Sequence, residues 1–234
     1  MSARSTRALV VALAACAAAA SAQAPSPRRD WNRVVAQTPA GTHVLGNPAA
    51  KIRLTEYISY TCPHCAEFER EAEATLRLGF VATGEGSVEV RPFVRDPVDM
   101  TVALLTNCGP PAKFFANHTA FLRSQPKWIA TLASSGPTRR ARWTTGAFAA
   151  RTRAIAQDFG FHAIMRGRGY TPAEVDKCLA NQVLAERLAA ATDEAQETLR
   201  IPGTPSFAID GVVLAGTHDW ATLKPQLEAR LRAG

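Results

Sequence analysis

The sequence predicts an α/β fold: one sheet assembled from two separated pieces of chain, with an all-helical block inserted between them. Three observations predict it. Residues 52–94 read strand–helix–strand, residues 97–200 carry Ala, Leu and Arg at helical spacing, and the chain returns to short strands and a final helix after residue 201. The 234 residues are 47% hydrophobic and 20% charged, a globular balance that excludes a disordered or collagen-like chain.

The first residues read apart from the rest. Arg4 and Arg7 precede an Ala/Val/Leu run over 8–20, and Ala20-Ser21-Ala22 or Ala22-Gln23-Ala24 offers a small-x-small cleavage site. Residues 1–22 are therefore expected to be a secretory signal peptide, with cleavage after 22 or 24. Leu13-Ala14-Ala15-Cys16 leaves an alternative open, a lipobox whose Cys16 would become a lipidated N-terminus. Either route places the mature chain outside the cytosol, where disulfides persist. No strongly apolar run long enough for a membrane span follows residue 30.

Residues 23–41, with Pro25, Pro27, Pro39 and Gly41, read as an exposed linker with room for one short helix. The sheet domain is expected over 42–96 and 201–234. Ile52 to Tyr60 is a β-branched and aromatic run with weak alternation, which suits a strand covered on both faces. A helix follows at once, with Cys62 as N-cap and Pro63 at the first position. Its apolar face takes Cys65, Phe68, Ala72, Leu76 and Gly79; Glu67, Glu69, Arg70, Glu71 and Glu73 take the other. Val88 to Val94 is the next strand.

The helical insertion, 97–200, has expected breaks at Gly109-Pro110-Pro111, Gln125-Pro126 and Ser135-Gly136-Pro137. Thr171-Pro172-Ala173-Glu174 is a capping box with Pro at the first helical position, and Asn181 is placed to cap the following helix. The Arg139–Trp143 run reads as a solvated helix end ahead of a docking patch for an acidic partner. Ser206–Ile209 and Val212–Ala215 are short strands joined by the hairpin signal Asp210-Gly211. The last helix puts Trp220, Leu223, Leu227 and Leu231 on one face.

Chemistry concentrates at Cys62-Pro63-His64-Cys65. A Cys-x-x-Cys pair binds metal or exchanges disulfides. Opening a helix puts the Cys62 sulfur at the positive end of the helix dipole, within reach of the backbone N–H groups of His64 and Cys65. Both effects favour thiolate, as would a protonated His64. Stabilising that thiolate stabilises the reduced protein, so the disulfide becomes an oxidant. The reading requires a sulfur that lies over a helix start and is open to solvent. Cys65, one turn inward, suits the thiol that closes the bond. A zinc site would need further ligands, and Cys108, Cys178, His43, His118, His162 and His218 show no ligand spacing. No metal and no cofactor are expected. The net charge of +7 reads as a solvated basic surface, with no nucleic-acid partner.

Strand–Cys-Pro-His-Cys–helix, a helical insertion, and Ile201-Pro202-Gly203-Thr204-Pro205-Ser206-Phe207 before a hairpin and terminal helix resemble the DsbA family of thioredoxin-fold proteins, over roughly residues 42–234. The resemblance implies a thioredoxin fold with an inserted all-helical domain. It implies a thiol-disulfide oxidoreductase in which Cys62 attacks, Cys65 resolves and His64 tunes the thiolate. Pro205 would be a cis-proline that exposes the Thr204 backbone to a substrate strand. Glu56, six residues before Cys62, would be a buried acid relaying protons to Cys65; an exposed Glu at a strand edge is the alternative. Unfolded or nascent exported proteins would be the substrates, in the periplasm, with reoxidation by a quinone-linked membrane partner of the DsbB kind.

Thr204 departs from the Val of the best-known oxidases and matches periplasmic isomerases, so an isomerase or reductase stays open. A metal-binding or structural protein is the third reading. Dimeric isomerases carry an N-terminal dimerisation domain for which residues 23–50 are too short, so a monomer is expected. Cys108 and Cys178, both in the helical block, are expected to pair, as in certain alphaproteobacterial relatives. The bond would be worth ~4 kcal/mol by loop entropy.

Overall fold

The computed structural model describes residues 29–233. The expected signal peptide and the Cys16 lipobox lie outside the described residues. A six-stranded sheet has the order β1-β2-β4-β3-β5-β6, formed by β1 (Val35–Gln37), β2 (His43–Gly46), β3 (Ile52–Ile58), β4 (Gly86–Pro92), β5 (Ser206–Ile209) and β6 (Val212–Val213). Only β3 and β4 run parallel. They are joined by α1 (Pro63–Thr75), as a parallel pair needs a crossover.

Between β4 and β5 the chain is helical: α2 (Pro97–Thr106), α3 (Phe114–Trp128), α4 (Ala130–Ser134), α5 (Pro137–Thr144), α6 (Phe148–Asp158), α7 (Phe161–Gly167), α8 (Pro172–Leu179) and α9 (Gln182–Glu197). The final helix is α10 (Trp220–Ala233). Because β5 pairs antiparallel with β3, chain segments some 150 residues apart meet at the centre of the sheet, and the helical block is an insertion into it. The local signals act as their chemistry dictates. Thr171 and Glu174 close a capping box, the Asn181 side chain accepts from the Leu184 N–H, and Asp210 and Gly211 both take positive φ in the β5–β6 hairpin.

Four local readings change. The stretch read as a linker contains a 3-10 turn, Trp31–Arg33, and β1, which pairs with β2 at the edge of the sheet. Three residues with one edge partner carry too little periodicity to show as a strand. Helix α3 runs through Pro126 instead of breaking there. A wide π turn, Leu76–Val81, follows α1 and shifts the buried register from Gly79 to Phe80 and Val81. Glu69 is buried rather than solvated, because α3 packs against that side of α1 and brings His118 Nε2 to 3.6 Å from its carboxylate.

The core is continuous from the sheet into the insertion. Leu54, Ile58 and Phe207 from the strands share one cluster with Phe68 of α1, Phe121 of α3 and Phe161 of α7. No helix among the described residues is long and apolar enough to cross a membrane.

Candidate active site

Strand β3 ends at Ile58, and four residues, Ser59 to Cys62, carry the chain to α1. Cys62 is the N-cap, in extended conformation, and Pro63 occupies the first helical turn, where its missing N–H costs nothing. Cys62 and Cys65 are free thiols. The Cys62 sulfur makes no side-chain capping hydrogen bond to the helix. Its S–H instead donates to the Thr204 carbonyl at 3.2 Å, and the Ser59 N–H donates to the Cys65 sulfur at 3.5 Å. The Thr204–Pro205 peptide bond is cis. The segment before β5 thus lies directly on the Cys62 sulfur.

One of the two requirements for a redox sulfur is met and the other is not. Cys62 does cap a helix, but it is only 3% exposed, against 0% for Cys65. The expectation of an open sulfur is corrected: the Thr204 loop covers it. Cys62 is nevertheless held down to a pKa of about 5. The hydrogen bond from Cys65 is the largest cause; burial opposes it, and the Thr204 side chain, the nearby Cys65 backbone dipole and the Arg95 charge add to it. Cys65 moves the other way, well above the usual thiol range, because burial and then the Cys62 thiolate disfavour a second charge. The pair is split into one stabilised anion and one retained proton.

His64 is not brought onto the sulfur. Its side chain is 78% exposed and its Nδ1 lies 3.8 Å from Glu67 Oε2. Pro63 is exposed beside it. Glu56 lies on the central strand β3, between Val90 of β4 and Phe207 of β5, and is 4% exposed. That disposes of the edge alternative. Burial, with Glu69 adding, pushes its carboxyl up to about 8. Glu56 lines a cavity of about 30 Å³ with Phe68, Glu69 and His118, room for a single water. No hydrogen bond joins Glu56 to Cys65 among the described residues. Cys108 and Cys178 are joined as a disulfide, tying the end of α2 to α8. In the Arg139–Trp143 run, Trp143 is buried and donates to Asp158, and Arg140 and Arg142 are held by intramolecular partners.

Sequence reasoning missed a polar network under the site. Asp99 of α2, fully buried, accepts from Ser59 Oγ at 2.5 Å, from the Tyr60 N–H at 2.8 Å and from the Arg95 N–H at 3.1 Å. The Arg95 guanidinium donates to Ser59 Oγ and Thr61 Oγ1. Gln125 of α3 donates to the carbonyls of Tyr60 and Cys62. Asp96-Pro97 is a legible helix start, and Asp96 does cap α2. Nothing in the spacing shows that α2 and α3 meet the residues before Cys62.

Comparison with known proteins bears on this geometry. The family model described as Thioredoxin matches residues 38–229. The chain is 60% identical to a structure described as protein-disulfide isomerase from Novosphingobium aromaticivorans, covering 82% of this chain and 97% of that one, with a TM-score of 0.79. It shares its fold with Wolbachia pipientis alpha-DsbA1, at 19% identity, 80% and 88% coverage and a TM-score of 0.63. A Rickettsia typhi protein provisionally named a protein-disulfide oxidoreductase is 29% identical over 170 residues, 72% of this chain. The match spans about half the length of that relative, 54%.

Proposed function

The chain belongs to the thioredoxin family, and from that premise we propose that it is a protein thiol-disulfide oxidoreductase working through Cys62 and Cys65. One observation carries the reading: an N-cap cysteine with a depressed pKa whose sulfur lies 3.2 Å from the carbonyl preceding a cis-proline.

In the oxidised enzyme Cys62 and Cys65 form a disulfide. A substrate thiolate attacks the Cys62 sulfur, the Cys62–Cys65 bond breaks, and Cys65 leaves with the electron pair and takes a proton. Glu56, buried with a carboxyl that titrates near neutrality, is the proposed proton relay for Cys65. A second substrate thiolate then attacks the substrate sulfur of the mixed disulfide. Cys62 leaves as thiolate, a good leaving group because its pKa is low, and the enzyme holds two electrons. Thr204 offers its backbone beside the sulfur, where a substrate strand can pair.

The proposed role is oxidation of exported proteins in the periplasm, by a monomer reoxidised by a quinone-linked membrane partner. Cys108–Cys178 is proposed as a structural bond. Isomerase or reductase activity is the second reading, favoured by Thr204 and by the isomerase description of the relative at 60% identity.

Equilibration against glutathione tests both, with iodoacetamide trapping at pH 7. Reversible exchange and rapid alkylation of Cys62, with Cys65 unmodified, are expected. A potential below about −220 mV argues against the oxidase. A Cys62 that alkylates no faster than an ordinary thiol overturns the redox reading, as does stoichiometric zinc held by Cys62 and Cys65.

A further inference from the structure

Cys62 is stabilised as an anion, yet the histidine beside it points at a carboxylate. A different cation is built into the site. We propose that Arg95 is the charge that tunes the Cys62 thiolate, seated for that task by the hydroxyls of Ser59 and Thr61. The inference rests on the thiol-disulfide reading and assigns it a residue from outside the Cys-Pro-His-Cys motif.

Arg95 stands between β4 and α2, and its own N–H is pinned to Asp99 Oδ2 at 3.1 Å. From there Nε donates to Ser59 Oγ at 3.0 Å and Nη2 donates to Thr61 Oγ1 at 3.3 Å. Thr61 is the residue before Cys62, and Ser59 puts its N–H on the Cys65 sulfur. The guanidinium therefore braces the three-residue segment that leads into Cys62 and donates to the Cys65 sulfur.

The polarity of that seat is set by the carboxylates behind it. A hydroxyl has one proton to give. Ser59 Oγ gives it to Asp99 Oδ2 at 2.5 Å, and Thr61 Oγ1 gives it to Asp96 Oδ2 at 2.8 Å. Each hydroxyl is left presenting lone pairs, which suit a guanidinium that can only donate. The two acids are meanwhile occupied elsewhere. Asp99 also accepts from the Tyr60 N–H, and Asp96 Oδ1 caps α2 through the N–H groups of Val98 and Asp99. Burial raises the Asp99 carboxyl to about 7, so near neutrality it is not a full negative charge.

Arg95 itself makes no ion pair among the described residues; its partners are neutral hydroxyls, which leave its charge uncancelled at contact. Two other charged groups line the cavity of about 290 Å³ beside Arg95: Arg151, of the same sign, and Asp96, whose carboxylate is engaged by the Thr61 hydroxyl and the first N–H groups of α2. His64 has the opposite arrangement, an exposed ring paired with Glu67.

Arg95 is exposed, so its field is screened. In a water-like medium one such charge, not in contact with the sulfur, is worth roughly half a pKa unit, a threefold change in equilibrium. Arg95→Met is expected to raise the Cys62 pKa by about 0.5, read by thiolate absorbance of the reduced protein. The glutathione equilibrium should move about threefold toward a less oxidising enzyme. Arg95→Lys keeps the charge and should titrate close to the unaltered protein, and high salt should shrink the difference between Met and Lys variants. An Arg95→Met protein that titrates like the unaltered one overturns the proposal. So does an Arg95→Lys protein shifted as far as Arg95→Met, which would make the contribution one of packing. Failure of the redox reading is separable: it shows as absent glutathione exchange in the unaltered protein, whereas the thiolate titration requires no exchange.

Discussion

Gln125 of the inserted helical block donates from Nε2 to the Cys62 carbonyl at 2.8 Å and to the Tyr60 carbonyl at 2.7 Å. The insertion thereby holds the backbone on both sides of Thr61. Gln125 is itself buried, so water cannot replace it cheaply.

Gln125→Ala should destabilise the fold by about 1–3 kcal/mol, the cost of leaving buried carbonyls without a donor. The Tyr60 carbonyl suffers most, since the Cys62 carbonyl also accepts from the N–H groups of Cys65 and Ala66. Urea denaturation of the oxidised protein measures the change. An unchanged midpoint would show that the α3 contact is incidental.

Absorbance titration of the reduced protein near 240 nm should give a Cys62 midpoint near pH 5, lost in Cys62→Ser. This fixes a stability difference and its sign. A folded-state pKa below the ordinary ~8.5 stabilises the reduced fold fully above that value, and the contribution disappears as pH falls through about 5. The oxidised protein has no such thiol. The reduced form should therefore gain on the oxidised form between pH 4 and pH 8, by an amount on the order of a few kcal/mol. Parallel unfolding curves of both forms at pH 4 and pH 7.5 check it; a gap independent of pH is the contrary result.

Glu56 works with the opposite sign. Its folded carboxyl titrates near 8, above the ~4.3 of a free glutamate, so the native state binds the extra proton between these values. Stability should fall as pH rises from about 4 to 8. Glu56→Gln should flatten that slope while slowing release of mixed disulfides near neutrality. If the slope persists in the variant, another buried acid with a raised pKa is responsible, and Asp99, pushed up to about 7 by burial, is the one to test.

The Cys108–Cys178 bond closes a separation of 70 residues within the helical block. Replacing both cysteines by Ala should cost about 4 kcal/mol by loop entropy. The Cys62 titration should stay where it is, because neither residue touches the active-site segment. A displaced Cys62 midpoint in the double variant would mean that the bond also shapes the site.

Much of this molecule can be read in the chain, where a single short segment contains both the signal and its consequence. Thr171 with Glu174, Asp210 with Gly211, and Cys62 with Pro63 each specify their backbone geometry through neighbours a few residues away. The two-part sheet with its helical insertion follows from such signals laid in order. The pairing of the two helical-block cysteines was also expressible, since oxidation leaves few partners to choose from. The two short N-terminal strands were not legible: β1 and β2 owe their form to one another and, for β2, to β4.

The electrostatics of the site belong to the tertiary structure. His64, adjacent in sequence, turns to Glu67, while Arg95, Asp99 and Gln125 arrive from 36 to 63 positions away. The cover that Thr204 places over Cys62 comes from farther still, 142 residues on. Motif spacing records which groups a helix turn brings together. A charge acts on whatever folds to within a few ångströms of it, and that distance is decided only when α2, α3 and β5 pack around the start of α1.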